Sequence, residues 1–232
     1  MKQMMKTTMN KNSKKSIILL SGGLDSLVCL GVFKEQYNID FALFFDYGQR
    51  SYKKELEAVK KICKHYKVKL KKINLPWLKN LSGTSVLTQK LKEIMADDNV
   101  WIPNRNGLFL NIAGSYAEEL NYTNIIIGAN SEEAKEFPDN SKDFINAINK
   151  GFQHSTKKDI SVIAPLVDCD KNEIVRLAIE NNVPLEYVWS CYTDKNHHCG
   201  ICKSCVGLKN ALEYNKNSYY LELLFKNADE IH

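Results

Sequence analysis

Ser16-Ile17-Ile18-Leu19-Leu20-Ser21-Gly22-Gly23-Leu24-Asp25-Ser26 runs an apolar, strand-like segment into a glycine pair and then into a helix-like run through Leu27, Val28, Leu30 and Phe33. Strand, glycine turn and helix start is the geometry of an anion cradle. The glycines lack Cβ atoms, so backbone N–H groups can close on a phosphate. The hydroxyls of Ser21 and Ser26 add donors, and the helix N-terminus contributes positive potential. An ordinary strand-to-helix turn with Asp25 or Ser26 as N-cap accounts for the same residues without a ligand. The stretch lacks the Gly-Lys-Ser/Thr ending of a Walker loop, so cleavage of a γ-phosphate is not the chemistry it suggests.

Outward from this loop, the apolar pattern alternates strand and helix. Strands are expected at 16–20, 40–45, 68–73, 124–128 and 161–164. Helices are expected at 26–36, 52–66, 108–120, 144–152 and from a capping pair, Asp170 with Glu173, to about residue 181. This alternation predicts an α/β fold, a Rossmann-like parallel sheet with helices on both faces. Right-handed crossovers then put functional loops at the carboxyl ends of the strands. Three polar segments fall there: the glycine loop, Asp46-Tyr47-Gly48-Gln49-Arg50, and 129–140. Residues 76–101 form an insertion with no clear period. Residues 1–15 read as a disordered basic tail, 16–185 as the nucleotide-binding domain, and 186–232 as a small zinc-binding region with a C-terminal helix.

With 232 residues and 44% apolar content, the chain can bury one sizeable core and a small appendage. No apolar run approaches the roughly 20 residues that span a bilayer. The run at 16–20 is too short for a signal-peptide core, so a cytoplasmic protein without a membrane partner is expected. The net charge of +5 is carried by lysine, Arg50, Arg105 and Arg176 being the only arginines. A solvated surface explains the lysines. No aromatics interleave the patch at 67–72 as single-strand recognition requires, so no stable nucleic-acid partner is expected. Arg50 and Arg105 fall in polar, loop-like segments, where a planar fork suits a carboxylate or phosphate.

Four of the seven cysteines, Cys191, Cys199, Cys202 and Cys205, fall within fifteen residues as C-x7-C-x2-C-x2-C. Successive CxxC steps turn thiolates toward one point, and an upstream thiolate completes a tetrahedral shell. Structural Zn2+ is the expectation, with an iron–sulfur cluster the competing reading because the last three cysteines also fit part of a ferredoxin run. Four thiolates leave no open position, so such a zinc does no chemistry itself. His197 and His198 are alternative ligands that four cysteines make unnecessary. Cys29, Cys63 and Cys169 read as small buried hydrophobes.

The hexapeptide Ser21-Gly22-Gly23-Leu24-Asp25-Ser26 matches SGGxDS, the signature of pyrophosphatase-loop enzymes that release pyrophosphate and pass on an adenylate. Together with Phe45–Arg50, Ile102-Pro103-Asn104-Arg105-Asn106, Phe109–Ala113, Gly128-Ala129-Asn130, Pro138-Asp139, Ser190-Cys191-Tyr192 and the CxxCxxC, it resembles the 7-cyano-7-deazaguanine synthase (QueC) family from residue 16 to about 212. One segment departs. The family resembles Asp-Tyr-Ser-Gly-Tyr-Pro-Asp-Cys-Arg where this chain has Glu133-Ala134-Lys135-Glu136-Phe137-Pro138-Asp139-Asn140-Ser141, with Lys135 as a candidate for the missing cation.

The resemblance implies an adenine nucleotide alpha hydrolase-like fold and an ATP-dependent ligase. The carboxylate of 7-carboxy-7-deazaguanine would attack the α-phosphate of ATP, ammonia would displace AMP, and a second activation would dehydrate the amide to a nitrile. The implied ATP segment is Leu20, Ser21, Gly22, Gly23, Leu24, Asp25, Ser26, Leu27, Val28, Cys29 and Leu30, with Mg2+ accompanying ATP. Asp46, Gln49, Arg50, Asn106, Asn130 and Asp139 are candidate substrate contacts on segments expected to converge, and Arg105 is the candidate catalytic residue. Family analogy favours a homodimer. Two rival classes are a tRNA-modifying sulfur transferase of the same superfamily, whose catalytic cysteine pair and RNA-binding appendage are not evident, and a zinc-knuckle nucleic-acid binder, which leaves the glycine loop unexplained.

Overall fold

The computed structural model describes residues 15–81, 85–88 and 99–225, so the expected basic tail (apart from Lys15) and the middle of the 76–101 insertion lie outside the described residues. In chain order the elements are β1 (Ser16–Leu19), α1 (Leu24–Phe33), β2 (Ile39–Asp46), α2 (Tyr52–Tyr66), β3 (Lys69–Asn74), α3 (Arg105–Leu120) and β4 (Asn124–Ile126). There follow α4 (Ser131–Ala134), α5 (Lys142–Ser155), β5 (Ser161–Ile163), α6 (Lys171–Glu180), α7 (Lys203–Tyr214) and α8 (Ser218–Phe225). The strands form one parallel sheet in the order β3-β2-β1-β4-β5.

Unbroken apolar runs such as Ile17-Ile18-Leu19 and Leu43-Phe44-Phe45 bury side chains on both faces of the sheet, as a parallel sheet covered by helices requires. The edge strand β3 differs, with Lys69, Lys71 and Lys72 exposed. A lysine row along an edge opposes pairing with a further strand. Helix α2 buries Ala58, Val59, Ile62 and Cys63 along one stripe and ends at Lys67 in the left-handed conformation (φ 55°). Burial pushes the Cys63 thiol up to about 12, and Cys29 is fully buried, so both are the small hydrophobes expected, whereas Cys169 is only half-buried.

Three local expectations need correction. Helix α1 starts at Leu24 rather than Ser26, because extended Gly23 (φ −76°, ψ 168°) serves as N-cap without a side-chain bond. Helix α3 starts at Arg105 rather than residue 108, so Arg105 opens a helix instead of sitting in a loop; Asn104 before it is left-handed (φ 53°). The segment 129–140 is not all loop, since the Asn130 side chain accepts from the Glu132 and Glu133 N–H groups and caps α4, and 138–140 forms a 3-10 turn.

The sheet reverses its strand order between β1 and β4, the switch point at which parallel α/β sheets open a crevice. The C-terminal segment packs onto the same core: Cys202, Cys205, Leu208 and Leu212 are buried in one cluster with Ile17 and Leu27. It contains two helices, α7 and α8, where one was expected.

The expected start of α6 is realised as a capping box. The Asp170 carboxylate accepts from the Glu173 N–H at 2.8 Å, and the Glu173 carboxylate accepts from the Asp170 N–H at 3.0 Å. Asp170→Ala removes one arm and leaves an N-terminal amide without its acceptor. Urea denaturation should show a loss of ~0.5–2 kcal/mol; an unchanged midpoint would contradict the role of this box in holding α6.

Candidate active site

A cavity of about 520 Å³ lies over the carboxyl ends of β1, β2 and β4. The glycine loop forms its floor through Ser21, Gly23, Leu24, Asp25 and Ser26. Within the loop, Ser26 Oγ donates to the Gly23 carbonyl at 3.1 Å and lies 3.2 Å from Ser21 Oγ. Because Gly23 caps α1 without a side chain, the first-turn amides keep their donors for another acceptor.

The two glycines do different work. Gly22 holds φ +86°, and a Cβ there would sit 3.1 Å from the Glu55 carbonyl, so it makes the turn and fits the loop against α2. Gly23 is the glycine on the cavity wall. Gly128, just past β4, backs the loop from the other side: a Cβ there would lie 2.8 Å from the Asp25 carbonyl carbon and 2.8 Å from the Ser26 nitrogen.

A buried charge cluster stands beside the loop. Lys171 Nζ donates to Asp25 Oδ2 at 2.7 Å and to Glu133 Oε1 at 3.1 Å, and Asn130 Nδ2 donates to the same Asp25 oxygen at 3.3 Å. Burial opposes the Lys171 charge, but the two carboxylates override it and hold the ammonium above its ordinary range. Burial also raises Asp25, against the pull of Lys171. Asp25 Oδ1 is buried with no hydrogen-bond partner. An unmatched carboxylate oxygen beside an anion cradle suits a divalent cation accompanying a polyphosphate.

Arg105 faces the cavity from the start of α3. Its Nη1 donates to the Tyr47 hydroxyl at 3.3 Å, and its guanidinium lies 5.6 Å from the Tyr47 ring centroid. Burial pushes Tyr47 up to about 12, against the pull of Arg105, so this phenol stays protonated. The Asn106 N–H donates to Asp139 Oδ2 at 3.0 Å, tying α3 to the turn after α4. Gln49 Nε2 donates to Glu55 Oε2 at 2.9 Å, and Ser51 Oγ donates to Glu55 Oε1 at 2.5 Å.

Of the candidate substrate contacts, Gln49, Asn106 and Asp139 line the cavity with Arg105. Asp46, Arg50 and Asn130 do not. Asp46 accepts from the Gly48 N–H and meets Lys72, Arg50 pairs with Asp194 at 3.1 Å, and Asn130 caps α4 one bond away from the wall. Leu20 lines the cavity, whereas Leu27, Val28, Cys29 and Leu30 are the buried face of α1 and support the loop from the core. Lys135 is exposed and away from the cavity; Lys171 and Lys203 are the lysines that line it. Ser141, in the family's arginine slot, caps α5 by accepting from the Phe144 N–H. Lys171 escaped the sequence reading, although a lysine at the first position of a helix, where the dipole disfavours it, was a usable signal.

The four cysteine sulfurs of Cys191, Cys199, Cys202 and Cys205 lie within 4.8 Å of one another, the one such ligand group among the described residues. Sulfurs at ~2.3 Å from a tetrahedral metal stand ~3.8 Å apart, and Cys199 Sγ and Cys205 Sγ are 3.9 Å apart. The N–H groups of Thr193 and Cys199 point at Cys191 Sγ at 3.4 Å each, and the Cys202 N–H points at Cys199 Sγ at 3.3 Å. This donor set can hold a metal ion such as zinc. His198 stays outside it: buried, it accepts from the Ser190 N–H at 3.3 Å and packs on Trp189 and Phe225, and burial lowers it to about 4. The cluster lies outside the cavity, but its flanking residues Trp189, Ser190, Tyr192 and Lys203 line it. The Trp189 N–H donates to the Gly22 carbonyl at 2.8 Å, joining this segment to the glycine loop.

The family model for queuosine biosynthesis protein QueC matches residues 15–216. A protein named 7-cyano-7-deazaguanine synthase from Methanosarcina barkeri is 40% identical over 209 residues, covering 83% of this chain and 90% of its own. Another of that name, from Carboxydothermus hydrogenoformans, is 41% identical over 211 residues, covering 85% and 98%. Among solved structures, the U34-tRNA thiolase NcsA from Methanococcus maripaludis with its [4Fe-4S] cluster aligns at a TM-score of 0.50 and 19% identity, over 95% of this chain and 72% of that one. At that identity the likeness speaks for the fold alone.

The contact of Gly128 with the loop yields a direct check. Gly128→Ala must push the Asp25–Ser26 backbone, at a cost of ~1–3 kcal/mol. Calorimetric titration should show ATP affinity falling by roughly tenfold, the change that ~1.4 kcal/mol of binding free energy produces. Full affinity in that variant would mean that the loop's position does not matter to nucleotide binding.

Proposed function

The chain belongs to the QueC family, and on that premise we propose that it is an ATP-dependent carbon–nitrogen ligase that converts 7-carboxy-7-deazaguanine and ammonia into 7-cyano-7-deazaguanine, a precursor of queuosine or archaeosine. One observation carries the reading: the glycine loop, Arg105 and the Lys171 cluster converge on a single cavity at the strand-order switch. A carboxylate oxygen is a poor leaving group until it is adenylated, and a phosphate cradle beside a guanidinium suits that activation.

In this mechanism the loop amides and the hydroxyls of Ser21 and Ser26 hold the ATP phosphates. Arg105 orients the substrate carboxylate, whose oxygen attacks the α-phosphorus while the bond to pyrophosphate breaks. Ammonia then attacks the acyl carbon, AMP departs with the former carboxylate oxygen, and a proton is released. In a second round the amide oxygen attacks the α-phosphorus of another ATP as pyrophosphate leaves and one N–H proton is lost, and departure of AMP with the second N–H proton leaves the nitrile. Asp25 Oδ1 would meet the Mg2+ that accompanies ATP and neutralises pyrophosphate charge. Lys171 keeps the Asp25 carboxylate aimed while balancing its charge. No cysteine or serine nucleophile is required.

Cys191, Cys199, Cys202 and Cys205 would hold a structural Zn2+, supported by their spacing and by the inward N–H groups. Such sites contribute roughly 10–16 kcal/mol in small zinc-dependent domains. A cytoplasmic homodimer belongs to this proposal on the family resemblance.

The decisive assay follows AMP and pyrophosphate with 7-carboxy-7-deazaguanine and ammonia, with tRNA as the competing substrate. The proposal expects release that depends on the deazaguanine acid and ignores tRNA; the reverse would favour the sulfur-transfer class. Metal analysis should find about one zinc per chain without iron–sulfur absorption. Cys202→Ser should lower solubility and activity together. Stoichiometric iron with sulfide in anaerobically purified protein would overturn the zinc assignment.

A further inference from the structure

Among the cavity residues that have no part in the chemistry above are Trp101, Glu136, Phe137 and Lys203. Trp101, in the segment leading into α3, stacks on Phe137 with ring centroids 5.7 Å apart and planes 1° from parallel. Lys203, the first residue of α7, holds its ammonium 5.6 Å from the Phe137 ring centroid and forms an ion pair with Glu136. Both rings are half-buried, and both line the cavity. A flat aromatic surface with a cation and a carboxylate side by side thus comes from three separate segments.

Topology says which ligand this group serves. The glycine loop follows β1, which lies between β2 and β4. On the β2 side the deep wall is apolar, with Leu43, Phe44 and Phe45, and Tyr47, Gln49 and Glu55 stand at its rim; the apolar part suits an adenine base whose phosphates rest on the loop. Phe137 and Glu136 belong to the segment after β4, on the opposite side of the loop. That side is left for the second substrate.

We propose that Trp101 and Phe137 form a stacking platform for a bicyclic 2-amino-4-oxopyrimidine base, and that the Lys203–Glu136 pair reads its edge. Such an edge presents a carbonyl acceptor next to a ring N–H and an exocyclic amine, an acceptor–donor–donor row. An ammonium beside a carboxylate is complementary to that row. The platform rests on the functional reading above and goes further, since Trp101 and Lys203 were not among the candidate contacts. Lys203 directly follows Cys202, so the same backbone that closes the cysteine cluster delivers the cation to the base.

Titration of the protein with 7-carboxy-7-deazaguanine, without ATP, tests the platform through tryptophan fluorescence. Wild type should be quenched, and the part of the quench due to Trp101 should vanish in Trp101→Phe, which keeps a ring and should raise the KM for the acid less than Trp101→Ala. Trp101→Ala should raise the KM for the acid by roughly tenfold while the KM for ATP holds, as base–aromatic stacking energies imply. Glu136→Ala, which removes the acceptor, should erase the preference for the acid over its analogue lacking the 2-amino group, a preference of roughly tenfold in wild type. If Trp101→Ala leaves the KM for the acid unchanged, or if ATP alone produces the Trp101 quench, the platform assignment falls while the ligase reading stands. A wild type that neither binds the acid nor releases AMP with it sinks both.

Discussion

One partly buried cation ties together the segments that carry the glycine loop and the turn after β4. Lys171, at the start of α6, is held between Asp25 of the glycine loop and Glu133 of α4, so one ammonium fixes the positions of three segments far apart in sequence. Burying these charges is costly, and they are tolerable only as a hydrogen-bonded set. Removing one member of such a set typically costs ~3–5 kcal/mol, because an uncompensated charge stays behind. Asn130 joins the set while capping α4, so backbone geometry and charge balance are settled by the same few atoms.

Around that cation the fold separates two tasks. The strand-order switch places the glycine loop in the centre, with Leu43, Phe44 and Phe45 walling the β2 side and Glu136 and Phe137 the side beyond β4. Activation of a carboxylate by ATP needs both ligands to meet at the α-phosphorus, and a central cradle with one base on each side meets that need. The C-terminal segment closes the arrangement. It bonds to the loop through Trp189 and Gly22, and Lys203 sits between two members of the cysteine group, Cys202 and Cys205. A structural metal there would therefore act on the reaction through position.

Local features of the fold were readable where the residues carry their own geometry. Helix α2 begins and ends where its apolar stripe does, and the Asp170–Glu173 pair announces α6 because both partners lie within one turn. The parallel sheet followed from the alternation of strand-like and helix-like segments, and runs such as Ile17-Ile18-Leu19 prove to be buried on both faces. The metal-ligand group was equally plain, since its spacing is itself the signal. What stayed hidden depends on contacts distant in sequence. Lys171 acquires its meaning from Asp25, 146 residues away, and Gly128 from the backbone of the loop it supports. Lys135 looked like the replacement cation from its place in the motif, but the short helix α4 leaves it exposed, and Lys171 and Lys203 take the cavity instead.

In the proposed reaction the cavity activates a carboxylate by transferring AMP to one of its oxygens. Turnover of 7-carboxy-7-deazaguanine labelled with oxygen-18 in its carboxylate, followed by mass spectrometry of the nucleotide product, tests this most directly. Each AMP formed should carry one heavy oxygen taken from the substrate. Unlabelled AMP, with the heavy oxygen recovered in water or in inorganic phosphate, would contradict it.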